Sequence, residues 1–159
     1  MVIVRLLTRR ASIFLTSGRR CAVSGYPSAA SGTQNNASIL RLMQSTVLFR
    51  PVGQHEYELV EATGFRRFPP RLPEQPFFYP VTNEEYATQI AREWNTRDEK
   101  SGYVGYVLRF RVRSKFLQRF PIRTVGATVH QEYWIPAAEL EEFNDEIDGV
   151  IESIACFRP

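Results

Sequence analysis

The segment "GYVGYVLRFRVR" (102–113) constrains the fold more than any other stretch, because its side chains alternate in character. One set of alternate positions is apolar or aromatic: Tyr106, Leu108, Phe110 and Val112. The other set is basic: Arg109, Arg111 and Arg113. Side chains of a strand point to opposite faces with period two, so this segment predicts a strand with one buried and one solvated face. A solvated arginine face is the more ordinary interpretation of the basic set, against a phosphate site.

The other segments predict short strands and helices. Further strands are predicted in "STVLFR" (45–50), "FFYPV" (77–81), "IRTVGATV", "HQEYWI" and "GVIESIACF". Pro51 and Gly53 are expected to end the first strand, and Gly126 marks a turn or bulge. "SKFLQRF" fits one helical turn. The order favours an α+β fold, with a mixed, mainly antiparallel sheet and two or three short helices.

Three segments predict helices. "QHEYELVEATG" places Leu59, Val60 and Thr63 on one side, with Gly64 as a left-handed C-terminal cap. "TNEEYATQIAREW" has a capping box of Thr82 and Glu85. We expect three of its side chains to be core residues: Tyr86, Ile90 and Trp94. The third helix is expected to start at Pro136, with an apolar stripe of Leu140, Phe143 and Ile147.

The chain divides by charge near Met43. Residues 1–43 contain six arginines and no acid, whereas residues 44–159 contain 14 basic and 17 acidic residues, giving charges of +6 and −3. The first part suits either an organelle transit peptide or an upstream extension of the reading frame that precedes a true start at Met43. We expect 1–43 to be disordered or non-native and 44–159 to form one α+β domain. The expected location is cytoplasmic, or mitochondrial for a transit peptide.

Composition bears on several classes of partner. The mildly acidic domain argues against nucleic-acid binding, because such domains usually carry a basic patch. The sequence has no apolar run of the length that spans a membrane. Its two cysteines, Cys21 and Cys156, lack the spacing of a disulfide scaffold. Cys156 lies in an apolar run and is predicted to be a buried, reduced thiol.

Glu132 is the residue whose chemistry most needs explaining. The sequence has no GxGxxG, P-loop or GxSxG pattern. Glu132 lies in an otherwise apolar and aromatic strand, and His130 projects to the same face. Such a carboxylate either faces solvent or lies in a cleft with a partner, since an unpaired buried charge is costly. A third and fourth ligand for a metal at this pair are not apparent.

"RRFPPR" lies in the loop "FRRFPPRLPEQP", which has too many prolines for a regular element. Its arginines, Arg71 among them, could contact a phosphorylated ligand through bidentate hydrogen bonds. The loop could also act as a lid over a pocket, or serve only as a connection. The sequence leaves these alternatives open.

Three segments together resemble a known family: "LFRPVG", "FPPRLPEQPFFYPVTNEEYATQIAREWN" and "TVGATVHQEYWIPAAELEEFN" with "DGVIESI". They resemble small bacterial proteins labelled "ADP-ribosylation/crystallin J1", and in broad layout the ADP-ribosyltransferase-like fold, over about 48–156. The resemblance implies NAD as the substrate, with no metal. It implies that Arg50 and Tyr79 contact NAD, with Tyr86 as a substitute for Tyr79, and that Glu132 stabilises the oxocarbenium-like transition state. His130 stands where that superfamily often has Gln or Glu, which leaves the acceptor undetermined.

Two functions follow as hypotheses. The first is an NAD-dependent ADP-ribosyltransferase-like enzyme, acting on NAD or a related nucleotide and on a protein or small-molecule acceptor. The second is a non-catalytic binding or interaction domain of the same fold. Convergence of Arg50, an aromatic ring and Glu132 on one cleft favours the first, and Glu132 alone on an open face favours the second.

Overall fold

The computed structural model describes residues 44–159 and the two-residue backbone strand Arg19–Arg20. The described strands are β1 Arg19–Arg20, β2 Ser45–Val52, β3 Phe77–Phe78, β4 Gly105–Arg113, β5 Ile122–Thr124, β6 Gln131–Tyr133, β7 Ile135–Pro136 and β8 Glu152–Arg158. The described α-helices are α1 Gln54–Ala62, α2 Glu84–Glu93, α3 Ser114–Leu117 and α4 Leu140–Asp145. Short 3₁₀ turns are Asn95–Arg97, Glu99–Ser101 and Ala137–Glu139.

The strands form small antiparallel sheets. The largest has the order β1-β8-β4-β2, and two further pairs are β3-β7 and β5-β6. Every pairing of these strands is antiparallel. The predicted α+β class is therefore confirmed, but the residues described contain four short helices, not two or three. The additional helix is α3, the predicted single turn.

One constant register joins the sheets. Phe77 pairs with Pro136 and Phe78 with Ile135, and the same offset continues to an isolated bridge between Val81 and Glu132. Val81 also exchanges two backbone hydrogen bonds with Phe49 of β2, at 2.9 and 2.8 Å. The segment 77–81 therefore runs between β2 and the segment 131–136 as a connecting strand, although only its first two residues belong to β3.

Two proline predictions are wrong. Pro51 does not end the first strand, because it pairs with Val107 inside β2. Phe49 directs its N–H toward Val81, away from β4, and residues two apart direct N–H groups to the same side. The missing N–H of Pro51 therefore costs no hydrogen bond to β4. Pro136 does not start a helix but belongs to β7, and α4 begins only at Leu140 after a 3₁₀ turn.

The predicted caps and helix faces need two corrections. Asn83, not Thr82, caps α2, since its Oδ1 accepts the backbone N–H of Tyr86 at 2.8 Å. Thr82 instead donates its N–H to the carbonyl of Gln131, which extends the sheet by one residue. In α1 only Val60 of the predicted face is buried, whereas Leu59 is 39% exposed. The left-handed conformation predicted for Gly64 is confirmed, with φ of 67°.

The sheet has a core on each face, whereas the alternation in β4 predicts one buried and one solvated face. Arg109 and Arg113 are exposed as predicted, but Val107 is buried under α2. The main core contains the apolar face of β4 with residues of β2, β3 and α4: Leu48, Val52, Phe78, Tyr106, Leu108, Phe110, Val112, Leu140 and Phe143. The second core lies under α2: Phe49, Val81, Tyr86, Ala87, Ile90, Ala91, Val107 and Phe157. Tyr86 and Ile90 are core residues as predicted. Trp94 is only partly buried and packs against the second core.

Cys156 is buried as predicted, but it is disulfide-bonded, so the prediction of a reduced thiol is wrong. The other cysteine of the sequence, Cys21, lies outside the described residues and directly follows β1 in the chain. β1 pairs with Phe157 and Arg158 of β8. The spacing of the cysteines in the sequence does not predict this disulfide, because a disulfide requires a short Cα–Cα distance in the fold.

The other predictions for 1–43 fall outside the described residues, Arg19–Arg20 excepted. They include the disordered or non-native state of this segment. Among the helices that the structure describes, none has both the length and the apolar character needed to cross a membrane.

Gly105 lets α2 approach β4 closely. A Cβ built on Gly105 would lie 1.9 Å from the carbonyl oxygen of Ala91, where no rotamer change relieves the clash. We expect Gly105→Ala to lower the free energy of unfolding by about 3 kcal/mol, the upper end for overpacked sites. Gly64→Ala is the matched control: its φ of 67° disfavours a side chain but no atom lies within 4 Å, so it should cost about 1 kcal/mol. Chemical denaturation of both variants measures the difference, and equal costs would contradict the close approach.

Candidate functional site

β6 carries Glu132 to the face of the sheet that bears the second core. Tyr133 and Ile135 belong to the main core, so the alternation of the strand sends Glu132 and Trp134 to the opposite face. In register, Glu132 stands between Val81 and Arg123 of β5. We call the side chains gathered on this face the Glu132 cluster: Tyr79, Tyr86, His130, Glu132 and Trp134.

The Glu132 carboxylate is buried and held. The residue is 2% exposed, and its Oε1 accepts the indole N–H of Trp134 at 2.7 Å. Burial raises the pKa of Glu132, because the charged form loses hydration. The hydrogen bond from Trp134 and the positive charge of Arg50 act against this rise. Glu132 is therefore neither a surface acid nor an unpaired buried charge.

Aromatic rings surround the indole of Trp134. The register places Trp134 opposite Tyr79, and their rings meet edge-to-face with centroids 5.5 Å apart at 90°. The ring of Phe77 lies 5.5 Å away and tilted. The guanidinium of Arg123 lies over the indole, with Cζ 4.3 Å from the ring centroid. These contacts fix the plane of the ring that binds Glu132.

Tyr86 and His130 form a stacked pair beside Glu132. Their ring centroids are 4.2 Å apart with planes 16° from parallel. Burial and the negative charge of Glu132 raise the pKa of Tyr86 to about 12. Its buried hydroxyl has no hydrogen-bond partner within the described part of the chain. The ring nitrogens of His130 contact Gln89 Oε1 at 3.2 Å and the carbonyl of Val125 at 3.3 Å.

A second group, the arginine cluster, consists of Arg50, Glu56, Arg71 and Phe78. Arg50 ends the predicted first strand, and it is 4% exposed. Its Nε and Nη2 donate to the two carboxylate oxygens of Glu56 at 2.7 and 3.0 Å. Its Nη1 donates to the carbonyl of Tyr79 at 3.1 Å, and its Cζ lies 4.4 Å from the ring centroid of Phe78. All three guanidinium nitrogens are therefore engaged.

Arg71 brings the proline-rich loop to the same cluster. Its Nη1 donates to Glu56 at 3.5 Å, and its buried Nε has no hydrogen-bond partner among the residues described. Burial, followed by the charge of Arg50, lowers the pKa of Arg71. Burial raises the pKa of Glu56, but the charges and hydrogen bonds of Arg50 and Arg71 outweigh it, so the net pKa is lowered. One carboxylate thus serves two guanidinium groups.

The two clusters lie on opposite faces of the sheet. Arg50 is two residues from both Leu48 and Val52, so it shares their face of the strand, which is the face of the main core. Glu132 lies on the other face, with the second core. The segment 77–81 connects them, because the backbone carbonyl of Tyr79 binds Arg50 while its ring contacts Trp134. Burial raises the pKa of Tyr79, as does Glu132, while Arg71 and Arg50 lower it. The clusters are therefore coupled electrostatically.

Comparison with protein-family models, with curated proteins and with solved structures finds no match. Within the residues described, no group of three or more His, Cys, Asp and Glu side chains is arranged to hold a metal ion.

The structure groups the six predicted site residues in two sets. One set is in the Glu132 cluster: Tyr79, Tyr86, His130 and Glu132. The other is in the arginine cluster: Arg50 and Arg71. Sequence analysis missed Trp134 and Glu56. Trp134 could have been found, because it lies two residues after Glu132 and so shares its face. Glu56 follows Arg50 by six residues and lies in the next element, so neither strand nor helix periodicity predicts that the two side chains meet.

Glu56 should be essential to stability, because its removal leaves two buried cations without their shared anion. We expect Glu56→Gln to lower the free energy of unfolding by about 3 kcal/mol, the lower end for broken buried pairs, since Glu56 is 21% exposed. Glu152→Gln is the control, as it breaks an exposed pair with Arg109 and should cost less than about 1 kcal/mol. Urea denaturation of both compares them. A cost for Glu56→Gln no larger than the control would show that the arginine cluster contributes little.

Glu132→Gln should change how stability depends on pH. The raised pKa of Glu132 means that the folded state binds this proton more strongly than the unfolded state. Stability of the parent chain therefore falls as pH rises from about 4.5, the ordinary value, through the raised pKa, and this loss is complete above it. The Gln variant lacks the loss, so its stability relative to the parent should rise over this window and then level off. Denaturation at a series of pH values measures this difference, and a relative stability that falls with pH would contradict the burial effect.

Proposed function

We propose that this chain is an ADP-ribosyltransferase-like protein that transfers ADP-ribose from NAD to an acceptor, a protein or a small molecule. The observation that carries the proposal is the Glu132 carboxylate, buried on a sheet strand and held by Trp134 among aromatic rings. The segments that resemble the ADP-ribosyltransferase-like proteins also contain these residues. A mainly antiparallel α+β architecture is compatible with that fold.

The chemistry requires an anion at a fixed place. When the bond between the ribose C1′ and the nicotinamide nitrogen breaks, its electron pair leaves with nicotinamide, and positive charge develops on the ribose. The ionised Glu132 stabilises that charge, and a preorganised group does so without reorganisation cost. The acceptor then forms a bond to C1′ and loses its proton. In this proposal Tyr79 offers its ring to nicotinamide, with Tyr86 beside it.

The remaining predicted residues are assigned to the acceptor and to the pyrophosphate of NAD. His130 stacks on Tyr86 near Glu132, and its imidazole is proposed to take the proton of the acceptor once one ring nitrogen releases its contact with Gln89 or Val125. Arg71 is the residue predicted to contact the pyrophosphate, since a guanidinium binds phosphate oxygens well. Its place in the arginine cluster, on the face opposite Glu132, weighs against that contact. Arg50 supports the site by its charge.

A second candidate function follows from Arg50. Its three guanidinium nitrogens all donate to Glu56 or to the carbonyl of Tyr79, so three of its five N–H groups are already used within the protein. Arg50 and Glu132 also leave the sheet on opposite faces. Both observations favour a binding or interaction domain without transfer chemistry.

Nicotinamide release from NAD by the full chain tests the first function against the second. We expect the parent chain to release nicotinamide and Glu132→Gln to reduce the rate by a factor of about 10²–10³, the effect of removing a charge aimed at a transition state. Glu152→Gln, an exposed carboxylate of β8, should retain the parent rate. NAD binding measured by calorimetry without release would favour the binding domain. Equal rates for the parent and Glu132→Gln would refute the assignment of Glu132.

A further inference from the structure

We propose that Trp134 is a positioning residue, whose indole N–H holds the Glu132 carboxylate in the orientation that the ribose requires. This inference rests on the proposed function for its consequence in catalysis. The contact itself is independent of that function, because it is a feature of the folded chain.

The direct contact is the first step. Trp134 Nε1 lies 2.7 Å from Glu132 Oε1, a short separation typical of a hydrogen bond to an ionised acceptor. Within residues 44–159, Trp134 is the one group that donates a hydrogen bond to this carboxylate. An indole is a donor only, so the direction of the bond is fixed by its chemistry. The orientation of the carboxylate therefore depends on that of one ring.

The second step is that the ring is itself fixed. Tyr79 contacts the indole edge-to-face and Phe77 contacts it at a tilt, both with centroids 5.5 Å apart. Arg123 covers the ring, with Cζ 4.3 Å from the centroid. β5 places Arg123 opposite Glu132, so both contact the same indole. Arg123 covers its face, and Glu132 accepts a hydrogen bond from its N–H. A group held from several directions loses little further freedom when it orients a neighbour.

The third step is the charge around the carboxylate. The groups coupled to Glu132 are Arg50, Tyr79 and Tyr86, and Arg123 stands opposite it in register. Both tyrosines are neutral at neutral pH, so neither adds a charge that would compensate the carboxylate. Burial raises the pKa of Glu132, while the Trp134 hydrogen bond and the charge of Arg50 lower it. Removing the indole N–H should therefore raise the pKa further.

The test is a direct titration of Glu132 in the full chain. Glutamate labelled with ¹³C at Cδ reports each carboxyl by NMR, and Glu132→Gln identifies the signal of interest. We expect Trp134→Phe, which keeps an aromatic ring but removes the N–H, to raise the pKa of Glu132 by about one pH unit. Trp94→Phe, the matched control away from the site, should leave it unchanged. An unchanged pKa in Trp134→Phe would overturn the proposal.

A second measurement covers the case in which Trp134→Phe fails to fold. The Trp94→Phe chain contains Trp134 as its single tryptophan, so its fluorescence reports this indole alone. Ionisation of the bonded carboxylate should change the emission, with a midpoint at the NMR pKa of Glu132. The same transition should be absent from the Trp94→Phe chain that also carries Glu132→Gln. A transition that survives in that chain, or no transition in either, overturns the contact.

Activity separates the two proposals. If the parent releases nicotinamide, Trp134→Phe should lower kcat by about 10²-fold with little change in KM, and shift the acidic limb of the pH profile upward with the NMR pKa. A raised KM with unchanged kcat would overturn the positioning role. If no chain releases nicotinamide while Trp134→Phe still raises the pKa of Glu132, the NAD proposal fails and the hold of Trp134 on the carboxylate stands.

Discussion

The register between the segments 77–81 and 131–136 is the constraint on which the rest of the structure depends. It sets Val81 between Phe49 and Glu132, and thereby links the large sheet to the β5-β6 hairpin. Because side chains alternate, a slip of one residue would move Glu132 into the main core and Tyr133 out of it. The Glu132 cluster therefore exists only in this one alignment.

The two clusters handle buried charge in different ways. In the arginine cluster, a bidentate pair joins Arg50 to Glu56, and Arg71 shares the same carboxylate. In the Glu132 cluster, a neutral indole supplies the hydrogen bond, and the positive charge that lowers the pKa is that of Arg50, on the other face of the sheet. The first arrangement favours a fixed ionisation state. The second leaves a carboxylate whose protonation responds to its surroundings, a property that chemistry can use.

The elements with regular periodicity could be predicted from the sequence. Tyr106 to Val112 alternate because one face of β4 is buried, and Tyr86 with Ile90 repeats because α2 has one buried side. Errors arose where partners distant in sequence decide the outcome. Pro51 remains in a strand since its imide nitrogen faces away from β4. Thr82 is not the cap of α2, because its backbone pairs with Gln131 in the sheet. The disulfide of Cys156 and the partnership of Arg50 with Glu56 are tertiary facts that local spacing does not encode.

The strand order has a consequence for how the chain folds during synthesis. β8 lies between β1 and β4, yet it leaves the ribosome after every other strand of this sheet. Until it does, the edge of β4 that later receives β8 has unpaired backbone groups and an apolar face beside them. Exposed edges of this kind recruit other chains, and pairing across long stretches of sequence is slow. The nascent chain should therefore depend on chaperones until β8 is inserted, and substitutions in β8 should reduce soluble yield before they alter the site.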